Sequence, residues 1–182
     1  APKFVQAAMA LHRDSMIPAN SYVIDLDQVR ANASTLKGEA DRNGLKIFAM
    51  TKQVGRSSSF CKAVMGAGIE KSVAVDMACA RGTHRAGMAV GHLGHLSQIA
   101  RAEADAAAAT FRPDYWTVFN DTKAGEAASA AAKAGYVQNL LTRIKADGDT
   151  FYRGHEGGFD ADDIVAVADR LDGLEGGRFA GM

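Results

Sequence analysis

The sequence predicts an α/β fold of the (β/α)8 TIM-type barrel class, of which this chain holds about the first six to seven units. Three observations predict it. Short apolar runs alternate with amphipathic stretches along the whole chain. Six such alternations in a row imply a parallel sheet with helical crossovers. The turn after the first run, Asp25-Leu26-Asp27-Gln28, carries no glycine, which argues against the fingerprint of an open dinucleotide-binding sheet.

The elements follow in order. Residues 1–20 are expected to be an extension bearing one helix, Val5 to His12, and residues 21–182 an incomplete barrel. The expected strands are Ser21 to Leu26, Lys46 to Thr51, Ser72 to Asp76, Ala89 to Leu93 with an extension to Leu96, Tyr115 to Phe119, and Asn139 to Ile144. Gly177 to Gly181 is expected to begin a seventh. Leu26, Val29, Ala33 and Leu36 share one helical face, with Asp27 at the start and Asn43-Gly44 at the end. Phe60, Ala63, Val64 and Ala67 repeat that pattern, capped by Ser59 and stopped by Gly68. Met77 to Ala86 closes at Gly87. The longest alanine-rich run, Ala102 to Thr110, is broken by Glu103 and Asp105. Asp121-Thr122 opens Lys123 to Ala134, and Asp160 opens Ala161 to Leu171. A barrel takes about 250 residues, so 182 residues read as a fragment lacking the remaining units.

Composition narrows the function classes. Lys+Arg 21 against Asp+Glu 21 leaves no net charge, and so no excess to drive counterion release from nucleic acid. With 47% hydrophobic and 23% charged residues the chain has a globular composition. No run approaches the ~18 apolar residues of a membrane span. The start, Ala1-Pro2-Lys3-Phe4, lacks a signal core, and two cysteines make no disulfide framework, so a reducing cytoplasmic setting is expected. Cys61, Cys79 and Trp116 are expected to be packing residues.

In parallel α/β folds chemistry gathers at the carboxyl ends of the strands. The second exit reads Ile47-Phe48-Ala49-Met50-Thr51-Lys52-Gln53-Val54-Gly55-Arg56. Lys52 stands where an apolar strand has just ended. Partial desolvation there favours the neutral amine, which forms Schiff bases with carbonyls. A lysine snorkelling from a strand end fits the same spacing.

Asp25-Leu26-Asp27 and the following helix through Asn32, then Met50-Thr51-Lys52 after a strand, resemble the first units of the alanine racemase N-terminal barrel. The match is nearest to an alanine-racemase-like branch with Met-Thr-Lys-Gln-x-Gly-Arg. Val73-Ala74-Val75-Asp76, Gly94-His95-Leu96, Thr117-Val118-Phe119 and Gly154 to Phe159 also look like that branch. The resemblance implies pyridoxal 5'-phosphate as cofactor, with Lys52 as the lysine that forms the internal aldimine and then acts as the α-proton base. It implies an amino-acid racemase, or a D-amino-acid lyase or aldolase of the same fold, or a non-catalytic cofactor carrier. It further implies a small amino-acid substrate, a homodimer, and a second catalytic acid and a phosphate cradle contributed by later segments and a C-terminal β-domain. Where such enzymes carry an arginine in the turn after the sixth strand, this sequence has Gly154-His155-Glu156-Gly157-Gly158-Phe159. A lysine of the family's sixth strand is matched by Arg143.

The remaining candidates come from the other strand exits. His92 and His95 lie three apart, which in an extended chain puts them on opposite faces and so off a common metal. His95, at the family position, is expected to line the cofactor or substrate, or to be a hydrogen-bonded structural histidine. Asp76 either joins the cofactor site or caps the helix that follows. Arg56 either binds a planar anion or makes an ion pair. Gln53 and His155, the latter in a glycine-rich loop, are expected to reach substrate. No metal site is expected.

Overall fold

The computed structural model describes residues 2–182. The described residues form seven α-helices and eight β-strands, alternating from Leu26 to Thr142. Helix α1 covers Pro2–Arg13 and buries none of its residues. Helix α2 covers Leu26–Arg42. Then come β1 (Ala49–Met50), α3 (Ser58–Gly66), β2 (Lys71–Ala74), α4 (Met77–Arg85), β3 (Ala89–Leu93), α5 (Arg101–Phe111) and β4 (Tyr115–Val118). Helix α6 (Asp121–Lys133), β5 (Gln138–Thr142), β6 (Ile144–Lys145), β7 (Phe159–Asp160), α7 (Ile164–Asp172) and β8 (Gly177–Gly181) complete the chain. One sheet has the order β1-β2-β3-β4-β5-β8, every neighbouring pair parallel, and β6 and β7 form a separate parallel pair. This is a partial (β/α) barrel wall, open between β1 and β8. No helix among the described residues is long and apolar enough to cross a membrane.

The outer face of the sheet packs on the helices. Ala74, Leu93, Val118 and Leu140 are fully buried there. Alanine allows the helices to lie close. Ala124, Ala127, Ala128, Ala130 and Ala131 of α6 are essentially inaccessible, as are Ala107 and Ala108 of α5. The approach is closest where the turn before β8 crosses α6. A Cβ on Gly176, whose φ is +78°, would come 2.4 Å from the Ala128 carbonyl oxygen. Only glycine fits that crossing, sterically and conformationally.

Several expectations are corrected. Ser21 to Asp25 is not a strand. It has no ladder partner among the described residues, Tyr22 is 96% exposed, and an extended segment becomes a strand only by pairing. The second run contributes only two residues to the sheet. The extension of β3 to Leu96 fails because Gly94, at φ +79°, turns the chain out of the ladder. The sixth run divides into β5 and β6 at Arg143.

Caps also shift. The α2 cap is Asp25, accepting from the amides of Asp27 and Gln28, rather than Asp27. Ser57 caps α3 in place of Ser59, and Asn120 caps α6 in place of Asp121. In each case the side chain that accepts from an amide two or three residues on lies just before the helix, outside helical backbone geometry. A 3-10 turn at Ala161–Asp163 precedes α7.

Replacing Gly176 by alanine is expected to destabilise the fold by about 3 kcal/mol, since it combines left-handed strain with overpacking. Denaturant titration of the variant would measure this, and an unchanged midpoint would contradict the close helix-sheet approach.

Candidate active site

The parallel register brings the carboxyl ends of six strands to one edge, and the candidate residues collect there. Lys52 opens a single 3-10 turn, Lys52–Val54, directly after β1, and is half-buried. The turn closes through Gly55, φ +62°, whose amide donates to the Lys52 carbonyl at 3.3 Å. The next residue, Arg56, is also left-handed at φ +56°, and its amide donates to the Thr51 carbonyl at 3.0 Å. An arginine in that conformation is strained by about 1 kcal/mol or more. The strain turns the Arg56 side chain back across α4, where it packs over Gly82: a Cβ there would meet Arg56 Cβ at 3.3 Å.

Arg56 stands 4.0 Å from Asp76. The Cys79 thiol beside it raises its pKa, against desolvation, and Asp76 adds to that effect. Asp76 caps α4, accepting from the Cys79 amide at 2.6 Å. Asp76 Oδ1 is engaged by the helix, and Arg56 faces Asp76. Two buried polar atoms in this corner have no protein partner, Thr51 Oγ1 and Arg56 Nε. Each costs about 1–3 kcal/mol when left unmet, and they lie on either side of Lys52 in the chain. Gln53 is exposed at the surface of the turn.

The third exit corrects the reading of the two histidines. Gly94 turns the chain out of the ladder, and the rings of His92 and His95 meet edge to face, with centroids 5.4 Å apart. A Cβ at position 94 would lie 3.1 Å from the Thr117 carbonyl oxygen, so the turn is pressed against β4. Gln98 staples it there: its Nε2 donates to the Thr117 carbonyl at 3.2 Å and its Oε1 accepts from the Phe119 amide at 3.0 Å. His92 Nε2 lies 2.6 Å from Thr117 Oγ1. Burial, and then the nearby His95, push the His92 pKa down to about 4. His92 is therefore a neutral imidazole near neutral pH. His95 sits at the rim, and its pKa is lowered by desolvation and by the positive charges of Lys52 and Arg143. Lys52, His95 and Arg143 thus share one electrostatic neighbourhood.

A cavity of about 600 Å³ opens beside them. His92, His95, Thr117, Arg143, Phe151 and His155 are among the residues that line it, and no aspartate or glutamate does. His155 is half-buried in the loop between β6 and β7, its ring 6.4 Å from that of Tyr152. Of the expected site residues, His95 and His155 line the cavity and Lys52 acts on His95 through its charge, while Gln53, Arg56 and Asp76 are not among the lining residues. Thr117 and Gln98 were not legible as site residues, since a threonine in a strand and a glutamine in a loop carry no motif. No group of three or more His, Cys, Asp or Glu side chains among the described residues could hold a metal ion.

Lys52 follows a strand at the carboxyl edge of a parallel, partial (β/α) barrel, and its charge acts on His95, which lines an acid-free cavity there. Residues 24–182 match the family described as alanine racemase, N-terminal domain, and the chain belongs to that family. It is 36% identical over 181 residues to an uncharacterised protein, YhfX, of Escherichia coli strain K12, covering 100% of this chain and 46% of that protein. By fold it is similar to D-threonine aldolase from Filomicrobium marinum, with a TM-score of 0.67 at 18% identity, over 91% of this chain and 43% of the other. The chain therefore spans less than half the length of either relative.

His92 makes stability depend on pH. Its pKa is about 4 when folded and 6.5 when free, so in that window the unfolded chain binds a proton that the folded chain does not. Its contribution is full above the free value and is lost as pH falls toward 4. Unfolding free energies measured across this window should rise with pH, and His92→Gln should flatten the slope by about one proton. An identical slope in the variant would contradict the buried neutral imidazole.

Proposed function

We propose that this chain is the cofactor-binding part of a pyridoxal-phosphate-dependent amino-acid racemase, with Lys52 as the residue that holds the cofactor and moves the substrate's α-proton. The observation that supports this reading most is the place of Lys52. It is half-buried at the carboxyl end of a barrel strand, and its charge is felt at His95 on the rim of the cavity.

The residues present suit such a cofactor. The cavity has the size of small-molecule sites. Its polar lining is basic or neutral, as a phosphate-bearing ligand requires, and Thr51 Oγ1 and Arg56 Nε are buried without partners next to Lys52. When bound, pyridoxal phosphate supplies an aldehyde and an electron-withdrawing ring that takes up the electron pair released at an amino acid's α-carbon. Lys52 would hold that aldehyde and, once released from it, accept the α-proton on one face. His95 would line the cofactor, and its pKa is lowered by desolvation and by the charges of Lys52 and Arg143. His155 lines the cavity and would offer a donor toward the substrate, whereas Arg56, packed over Gly82 beside Asp76, and the exposed Gln53 are not among the lining residues. Inversion requires a second acid on the opposite face, which later segments or a partner subunit would contribute. We expect the full-length protein to be a homodimer for that reason.

The same start, proton or bond removal next to a held amino acid, serves a lyase, and a relative by fold is a D-threonine aldolase. One assay separates the alternatives. Full-length protein is incubated with pyridoxal phosphate, reduced with borohydride and mapped, then offered amino acids of both hands. A label on Lys52 with interconversion of the hands is the expected result. Aldehyde release from D-threonine would replace racemase by aldolase, and a labelled protein without either activity would be a carrier. Lys52→Ala should lose the label and lower activity by about 10³-fold or more. Retained labelling in that variant would overturn the assignment.

A further inference from the structure

Arg143 is the charged side chain of the cavity whose role the preceding reading leaves open. It stands just after β5, at the break between β5 and β6, and its backbone is fixed on both sides. Its amide donates to the Val118 carbonyl at 3.1 Å, and its carbonyl accepts from the Phe159 amide at 2.8 Å. Gly158, φ +145°, is what allows the second bond, because a Cβ there would lie 2.9 Å from the Arg143 carbonyl oxygen. The side chain is clamped as well. Its guanidinium carbon lies 4.8 Å from the Phe119 ring centroid and 4.7 Å from that of Phe151. Rings on a guanidinium orient its plane and leave its N–H edge as the route to a partner.

That edge has no partner in the fold. Arg143 forms no ion pair and no side-chain hydrogen bond among the described residues, unlike Arg30, Arg81, Arg101 and Arg170. The cavity it lines holds no acid. The acids of the loop between β6 and β7, Asp147, Asp149 and Glu156, are exposed and none pairs with Arg143; the pKa of Glu156 is lowered first by backbone amides of its own loop, with His155 and Arg143 adding less. A fixed, planar, unpaired fork in an acid-free cavity is matched by a planar anion. We propose that Arg143 recognises the carboxylate of the substrate in a bidentate pair. The proposal rests on the reading of this cavity as an amino-acid site. A tetrahedral phosphate is the other anion a guanidinium would take, and the test separates the two.

Acetate and inorganic phosphate are titrated separately into the cofactor-free full-length protein, its Arg143→Met and Arg143→Lys variants, and Phe151→Ala, by calorimetry or NMR shifts. Arg143→Met should weaken acetate binding by about tenfold or more, the worth of a charge-assisted pair. Arg143→Lys should recover part of it, because the charge remains and the fork is lost. Phe151→Ala keeps the arginine but removes one clamp from an exposed loop, and should weaken acetate by a smaller factor. Melting temperatures and borohydride labelling of Lys52 should stay as in the parent. Unchanged acetate affinity in Arg143→Met overturns the proposal, and so does loss of phosphate binding or of cofactor retention with acetate unaffected. Arg143-dependent acetate binding in a protein whose Lys52 takes no label would uphold the carboxylate site while removing the cofactor reading.

Discussion

The constraint on which the structure depends is the alignment of parallel strands. A parallel ladder fixes which residues stand side by side, and here it brings the ends of β1, β2, β3, β4, β5 and β8 to one edge. Thr117 pairs in register with Leu141 and Leu140 with Phe179. The edge is level only because crossover helices hold the outer face tightly, and they do so with alanine. A helix whose inner stripe is alanine lies against the sheet at near-backbone distance, as α6 does under the turn at Gly176. Larger side chains would hold it further out and spread the strands.

The level edge gathers positive charge in one place. Arg143 and three histidines line the cavity, the charge of Lys52 reaches His95, and no aspartate or glutamate is among the lining residues. Burial in this partly desolvated site lowers the pKa values of His92 and His95, and neighbouring charge lowers them further. No carboxylate of the cavity lining offsets the positive charge of Arg143. An anionic ligand would lower the electrostatic energy of the site. The unpartnered Thr51 Oγ1 and Arg56 Nε belong to the same pattern, since buried polar atoms left unmet beside a reactive group mark where the fold gives up stability to a site.

The alternation of apolar run and amphipathic helix was enough to reveal the parallel architecture and most of its elements, because burial on both faces of a sheet and on one face of a helix leaves a periodic trace. Lys52 was legible from its place after an apolar strand, and Asp76 as a cap from its place before a helix. The unpaired state of Ser21 to Asp25 was not legible, since a strand is defined by its neighbour and its own apolar pattern is the same with or without one. Cap positions moved by one or two residues for a similar reason: several serines and acids stood near each helix start, and backbone angles chose among them.

The amino-acid sequence by itself determined the class of fold, the order of its elements, the lysine after the second run and the absence of charge excess. Only the tertiary structure decided that His92 touches His95, that Gln98 and Thr117 support them, and that Arg143 is clamped and unpaired. The physical reason is the reach of each effect. Periodicity and strand-end position are local, written within a dozen residues. The meeting of His92 with His95 hangs on one left-handed glycine, and the clamp on Arg143 joins Phe119 to Phe151 across two strands and a loop. Contacts of that range exist only once the sheet has set its register.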